Sequence, residues 1–264
     1  GKSLGDSSNL CMTCHQGRKS KLDIDTATAS AGPYDFRDHN VHYYPAAAVL
    51  YGTEVQGGYE FPGKIYSGQN TFPSHNGRFD TCVECHMGTN TARETHEPSD
   101  HNVHKPNPED CVYCHGYDVS QPNPGADPTK FKFSGIRPAS IPDFDADADI
   151  TESIKNELEG LKEALYAQIQ FYATNTLAAP IIYADNYPYF FNDSNGNGQV
   201  DPGENIFPNQ YGSQMDAALL KAAYNYQFSK KEPHGFIHNP YYIAQLLVDS
   251  IESLAGNVAA YIWR

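Results

Sequence analysis

Apolar residues recur at helical spacing in three stretches of the C-terminal half of the chain. In the first, Ile154, Leu158, Leu161, Leu165, Ile169 and Tyr172 form one stripe, which predicts a long amphipathic helix. Asp149, with Glu152 three residues later, has the form of an N-cap and its capping box, so the helix is expected to start there. The second stretch begins near Ser213 and carries Met215, Leu219, Leu220, Ala223, Tyr224 and Phe228. The third has Asn239 as cap, Pro240 at the first helical position, Ile243, Leu246, Leu247, Ser250 and Leu254 in register, and Gly256 as its stop. Helix packing accounts for all three stripes. No alternating segment longer than a few residues appears, so the expected fold is mainly α with extensive loops and little or no β-sheet.

Residues 1–145 follow a different pattern. They lack a long stripe and are broken by Gly-, Pro- and Asn-rich segments such as 106–108 and 122–128, which predicts short helices and loops. The acidic, Ala-rich run from Asp143 to Asp149 separates this loop-rich region from a helical region, residues 146–264. Across 264 residues, 32 acidic side chains against 18 basic ones give a net charge of -14, which repels nucleic acid and anionic lipid. No run approaches the roughly 18 consecutive apolar residues of a membrane span, so membrane insertion is not expected. Tyrosine is over-used at 19 copies, and its flat amphipathic ring suits contact with another flat surface.

The loop-rich region also holds all six cysteines, and these bring in the chemistry. They form three pairs of one spacing, Cys11 and Cys14, Cys82 and Cys85, Cys111 and Cys114, each followed at once by histidine: His15, His86 and His115. Three such matches by accident have odds on the order of 1 in 10,000. Disulfides, thioredoxin-like pairs and zinc sites all use CxxC, but none requires a histidine at the fifth position. CxxCH is the attachment sequence of c-type haem. Two thiols three positions apart lie on one side of a helical turn and reach two vinyl groups on one porphyrin edge, with the next residue beneath the iron. Three covalently bound haem c groups are therefore expected, with His15, His86 and His115 as proximal ligands. Each haem is also an apolar plate that can supply interior to a polar, loop-rich sequence.

One connection in the helical region has a second metal pattern. Asp193, Asn195, Asn197, Asp201 and Glu204 stand at positions 1, 3, 5, 9 and 12 of an EF-hand-like loop, with Gly198 at the sharp turn, Gln199 offering its carbonyl and Val200 at position 8. Asn, Gly and Asp also make ordinary turns, but the full register is more specific than a turn needs. One Ca2+ is expected there. Pro188 and Pro208 on the flanks, and the single loop, fit a fixed ion that staples a long connection better than a paired sensor.

Eight histidines remain after the proximal three: His39, His42, His75, His96, His101, His104, His234 and His238. With only three methionines in the chain, two of them in or beside the motifs, histidine is the expected second ligand of each iron. The run from His75 through Cys82-Val83-Glu84-Cys85-His86-Met87 to Asp100-His101 and Cys111 to His115 resembles the last haems of pentahaem ammonia-forming cytochrome c nitrite reductases. That resemblance implies His101 for the Cys11/Cys14 haem, His238 of His238-Asn239-Pro240 for the Cys82/Cys85 haem, and His75 for the Cys111/Cys114 haem. More broadly, residues 11–18, 41–51, the calcium loop and 241–254 look like the C-terminal part of larger multihaem cytochromes from anaerobic respirers. The reductases carry an additional catalytic haem on a lysine-bearing motif, and no CxxCK occurs here.

The expected function is electron transfer rather than catalysis, since an iron held by two histidines has no open position for substrate. Two alternatives stand beside it. One is a filament-forming subunit or fragment in which haem is ligated between chains, with His42 offered to a neighbour; the pentapeptide Asp-His-Asn-Val-His occurs twice, at 38–42 and 100–104. The other is a nitrite, hydroxylamine or sulfur-oxyanion reductase, which would need one iron without its second histidine. Expected partners are redox proteins or neighbouring cytochrome subunits, with a homo-oligomer or filament as an option. Covalent haem attachment and millimolar calcium both point to the periplasm or cell surface, and the start at Gly1 reads as a processed end or the start of a fragment.

Overall fold

The computed structural model describes residues 6–72, 81–86, 106, 111–112, 115, 132–138 and 141–261. Their elements are α1 (Asp6–Cys14), α2 (Lys21–Thr28), β1 (Tyr34–Asp35), α3 (Ala46–Tyr51), α4 (Cys82–His86), α5 (Ile154–Asn175), β2 (Ile181–Tyr183), β3 (Phe190–Asn192), β4 (Ser213–Met215), α6 (Ala217–Lys231), α7 (Gly235–His238) and α8 (Pro240–Ser253). Short 3-10 turns connect them. The protein is mainly α with extensive loops, and its strands are two or three residues long. They form two antiparallel pairs: β2 with β3, Ile182 opposite Phe191, and β1 with β4, Tyr34 opposite Met215.

Helices α5, α6 and α8 pack against one another and make the frame. The α5 stripe is inside: Leu161, Leu165 and Ile169 are fully buried, each contributing roughly 1.5–3 kcal/mol by the usual value of apolar burial. Its start lies four residues beyond the expected one. Ser153 is the N-cap, its Oγ accepting the Asn156 N–H at 3.3 Å. Asp149 is occupied with a tighter local turn, its carboxylate accepting both the N–H (2.9 Å) and the hydroxyl (2.6 Å) of Thr151.

The start expected near Ser213 also differs. Residues Ser213–Met215 pair with Tyr34–Asp35, and α6 begins after Asp216, whose Oδ1 accepts the Leu219 N–H at 2.8 Å. The third helix starts as expected, with Asn239 accepting the Tyr242 N–H at 3.2 Å and Pro240 at N1. Its end is a Schellman motif in which Ala255, not Gly256, takes the left-handed conformation (φ 61°). The Ala255 N–H donates to the Glu252 carbonyl and the Gly256 N–H to that of Ile251, both at 2.9 Å. Gly256 is required for space: a Cβ there would lie 2.5 Å from Ile251 Cγ2.

Loop segments 41–70 join this frame through buried side chains rather than through a sheet. Gln227 Oε1 accepts the Val41 N–H (2.8 Å), Asn225 both accepts from the Tyr59 N–H (2.7 Å) and donates to its carbonyl (2.8 Å), and Gln245 Oε1 accepts the Ser67 N–H (2.7 Å). Each satisfies a backbone group that burial would otherwise leave unpaired, at a cost of about 1–3 kcal/mol. One apolar cluster consequently runs from Ile24 to Leu254. Four tyrosines lie at its centre. Tyr59, Tyr211, Tyr224 and Tyr242 are fully buried, and their hydroxyls reach Asp25, the Ala179 carbonyl, the Gly57 carbonyl and Glu60 respectively. Part of the tyrosine excess thus fills a protein core instead of facing a cofactor.

Candidate haem sites

Where they are described, the CxxCH segments have the helical hydrogen bonding that haem attachment calls for. In the first, α1 ends at Cys14 and the His15 N–H donates to the Cys11 carbonyl at 3.0 Å. In the second, α4 is the motif itself, Cys82–His86. A reciprocal capping box opens it: the Thr81 N–H donates to Glu84 Oε2 (2.9 Å) and the Glu84 N–H to Thr81 Oγ1 (3.3 Å). In the third, the His115 N–H donates to the Cys111 carbonyl at 2.9 Å, and Cys114 lies outside the described residues. Among the described residues, Cys11, Cys14, Cys82, Cys85 and Cys111 are in no disulfide.

Helices α1 and α4 pack together, and the Val83 N–H donates to Ser8 Oγ at 3.4 Å. Burial, then the nearby Cys11, pushes the Cys82 thiol above its ordinary value, while a hydrogen bond with Ser8 opposes this. Two CxxCH turns therefore lie side by side.

His86 faces His238. Their ring centres are 6.3 Å apart with planes tilted by 35°. An imidazole nitrogen binds a metal ion at roughly 2 Å, so two imidazoles on opposite sides of one iron place their ring centres roughly 6 Å apart. The ring-centre distance thus matches the one that a bis-histidine iron requires. Residues His86 and His238 come together from segments 152 positions apart, and the backbone holds the second firmly. Asn70 Nδ2 donates to the His238 carbonyl at 3.0 Å, and Asn239, the next residue, donates from Nδ2 to the Gly68 carbonyl at 2.9 Å while capping α8. The other ring nitrogen, Nδ1, lies 3.1 Å from Oε1 of the buried Glu232. Neither Asn70 nor Glu232 stands out in the sequence; Glu232 is one acidic residue in a Lys-Lys-Glu-Pro turn, and no local pattern couples it to His238.

The remaining histidines divide into two groups. His75, His96, His101 and His104 lie outside the described residues. His42 is exposed, with left-handed backbone (φ 67°) and its ring edge-on to Tyr43 at 4.5 Å. It lies next to the first motif, since Ala47 N–H donates to the His15 carbonyl (2.8 Å) and Arg18 N–H to that of Val41 (3.1 Å). His39 is part-buried, and burial, followed by the Lys19 charge, pushes its imidazole below the ordinary value. His234 is exposed with its ring 6.0 Å from Phe236.

The loop at 193–204 is preorganised around Asp193, which is buried together with Glu204. Asp193 accepts from the N–H groups of Gly196 (2.8 Å), Asn197 (3.2 Å) and Gly198 (2.7 Å), and Gly198 has the positive φ (77°) of the sharp turn. Glu204 closes the loop, its two oxygens accepting from Ser194 N–H (2.8 Å) and Asp201 N–H (3.1 Å). Asn195 and Asn197 both donate from Nδ2 to Asp201 Oδ2 at 2.7 Å, while their amide oxygens accept the N–H two residues on. Each such oxygen keeps a second lone pair for a cation. The donor set is all oxygen and matches calcium.

A second acidic group lies at the start of α5. Asp143, Asp145 and Glu157 converge, as do Asp145, Asp147 and Glu152. Burial holds the Asp145 carboxyl up at about 6, and the neighbouring carboxylates add to this. Glu157 is neutralised by Arg137 and accepts the Phe144 N–H at 2.6 Å. This group ties the 143–152 turn to α5.

CxxCH turns and a close histidine pair are features of a class, the multihaem c-type cytochromes, which carry electrons on covalently held haem. The relatives agree. The chain is 29% identical over 280 residues to the C-type polyheme cytochrome OmcB of Geobacter sulfurreducens, and 27% identical over 270 residues to OmcC of the same organism. Each alignment takes in 95% of this chain but only 31% and 30% of the relative, so the chain spans about a third of their length. No family profile matches it, and no solved structure is similar to it. Among the described residues, no helix is long and apolar enough to cross a membrane.

Proposed function

We propose that the chain is a trihaem electron-transfer unit with three bis-histidine, low-spin haem c groups. Haem is attached at Cys11/Cys14, Cys82/Cys85 and Cys111/Cys114, and His15, His86 and His115 are the proximal ligands. His238 completes the second iron; His101 and His75 complete the first and third. The observation that carries this reading is the 6.3 Å distance between the ring centres of His86 and His238, two residues that the resemblance also assigns to one haem. Two histidines per iron leave no position for substrate, so haem here supplies one-electron transfer and the protein holds, spaces and tunes it. The contact between α1 and α4 supports a short path between the first two haems. The unit serves respiration outside the cytoplasm, in the periplasm or at the cell surface, where haem is attached and where calcium is abundant. Its partners are redox proteins or adjoining cytochrome segments.

Pyridine-haemochrome quantification combined with intact mass tests the count. The expected result is three haems per chain that resist acid-acetone extraction; haem passing into the organic phase counts against the proposal.

Calcium at Asp193, Asn195, Asn197, Gln199, Asp201 and Glu204 is proposed as a structural staple. At a hundredfold excess over its dissociation constant a bound ion adds about 2.7 kcal/mol to stability. Glu204→Gln is expected to abolish most of the calcium-dependent rise in Tm and leave the Soret spectrum unchanged. Haem potentials that shift strongly on chelation would show instead that the loop is coupled to redox.

A further inference from the structure

We infer that Glu232 is a positioning residue that lowers the reduction potential of the haem attached through Cys82 and Cys85. The inference rests on His238 being that haem's second ligand. Glu232 follows the last residue of α6 and is 3% exposed. Its Oε1 lies 3.1 Å from His238 Nδ1 and also accepts the His234 N–H at 3.1 Å, so one carboxylate oxygen fixes both the ring and the turn that delivers it. Helix α7 is a single turn between that carboxylate and the Asn239 cap. The His238 N–H donates to the His234 carbonyl at 3.1 Å, and Asn70 Nδ2 donates to the His238 carbonyl. The ring therefore has little freedom to rotate about its bonds.

The chemistry follows from the tautomer. With its proton on Nδ1 and directed at Glu232, His238 keeps the Nε2 lone pair for the iron facing His86. A buried carboxylate draws that proton toward itself, which moves electron density onto the ring and makes Nε2 a stronger donor. A stronger donor stabilises ferric more than ferrous iron, so the one-electron potential falls. No proton leaves the pair in this account; the electron enters from a redox partner, and the carboxylate only biases where the ferric–ferrous equilibrium lies.

Redox titration of the full-length holoprotein, with each haem followed by its low-spin EPR signal, tests the inference. Glu232→Gln keeps an acceptor oxygen for Nδ1–H and removes the charge. It is expected to shift one haem toward the ferrous form by on the order of tenfold, about 59 mV for a one-electron couple, with all haems still low-spin. Glu232→Asp keeps the charge on a shorter arm and is expected to give a smaller upward shift; it serves equally if the glutamine variant does not fold. Unchanged potentials in a folded variant of either kind overturn the role of Glu232. The ligation reading fails separately: if His238→Ala leaves every haem low-spin with unaltered EPR signals, His238 is not a ligand.

Discussion

Replacing His238 by alanine is expected to convert one haem from a low-spin, cyanide-insensitive state to one that binds cyanide. The substitution removes the ring whose centre lies 6.3 Å from that of His86. The backbone contacts of residue 238 survive, because Asn70 holds its carbonyl and Asn239 caps the next helix. Stability falls modestly, by about 1–3 kcal/mol, as the buried Glu232 carboxylate loses one of its partners and keeps the His234 N–H. Added imidazole should enter the gap and restore the low-spin spectrum of that haem. EPR and cyanide titration of the Soret band read both effects, and a variant indistinguishable from the parent would remove His238 from the ligand set.

Removing the second attachment site has a larger structural effect. With Cys82 and Cys85 both changed to alanine, haem content is expected to fall from three to two per chain. Helix α4 has five residues, far below the length at which a helix is stable alone, and its contact with α1 includes the hydrogen bond from the Val83 N–H to Ser8 Oγ. Covalent haem between His86 and His238 would tie α4 to the α7–α8 turn; without it that tie is gone and several kcal/mol of apolar burial is lost. Thermal unfolding should move down by many degrees, and proteolysis should cut first around residues 81–86. A haem content of three in this variant would show that CxxCH at 82–86 is not an attachment site.

Features set by residues within a few positions of one another were legible in the sequence. The CxxCH spacing, the Asn239-Pro240 start of α8, the Gly198 turn and the stripe of α5 all depend on bonds that close within about four residues. Local rules failed where two local options competed. Asp149 satisfies Thr151, two residues on, and thereby loses the helix to Ser153. They also failed where a distant segment intervened: Ser213–Met215 becomes strand because Tyr34–Asp35, far away in sequence, offers unpaired backbone groups to it.

The sequence by itself determined the class of this protein, since covalent haem attachment needs only a pentapeptide, and an oxygen-rich loop for calcium needs only twelve residues in register. Its reading of His238 as a ligand came through resemblance, not through any local signal. Tertiary structure alone decided what surrounds that residue. Asn225, Gln227 and Gln245 clamp buried loop backbone onto the helices, bringing Asn70 against His238. The turn after α6 carries Glu232 to its ring. Such pairings arise because every buried polar group must find a partner, and the partner is chosen by the packing of helices rather than by neighbours in the chain.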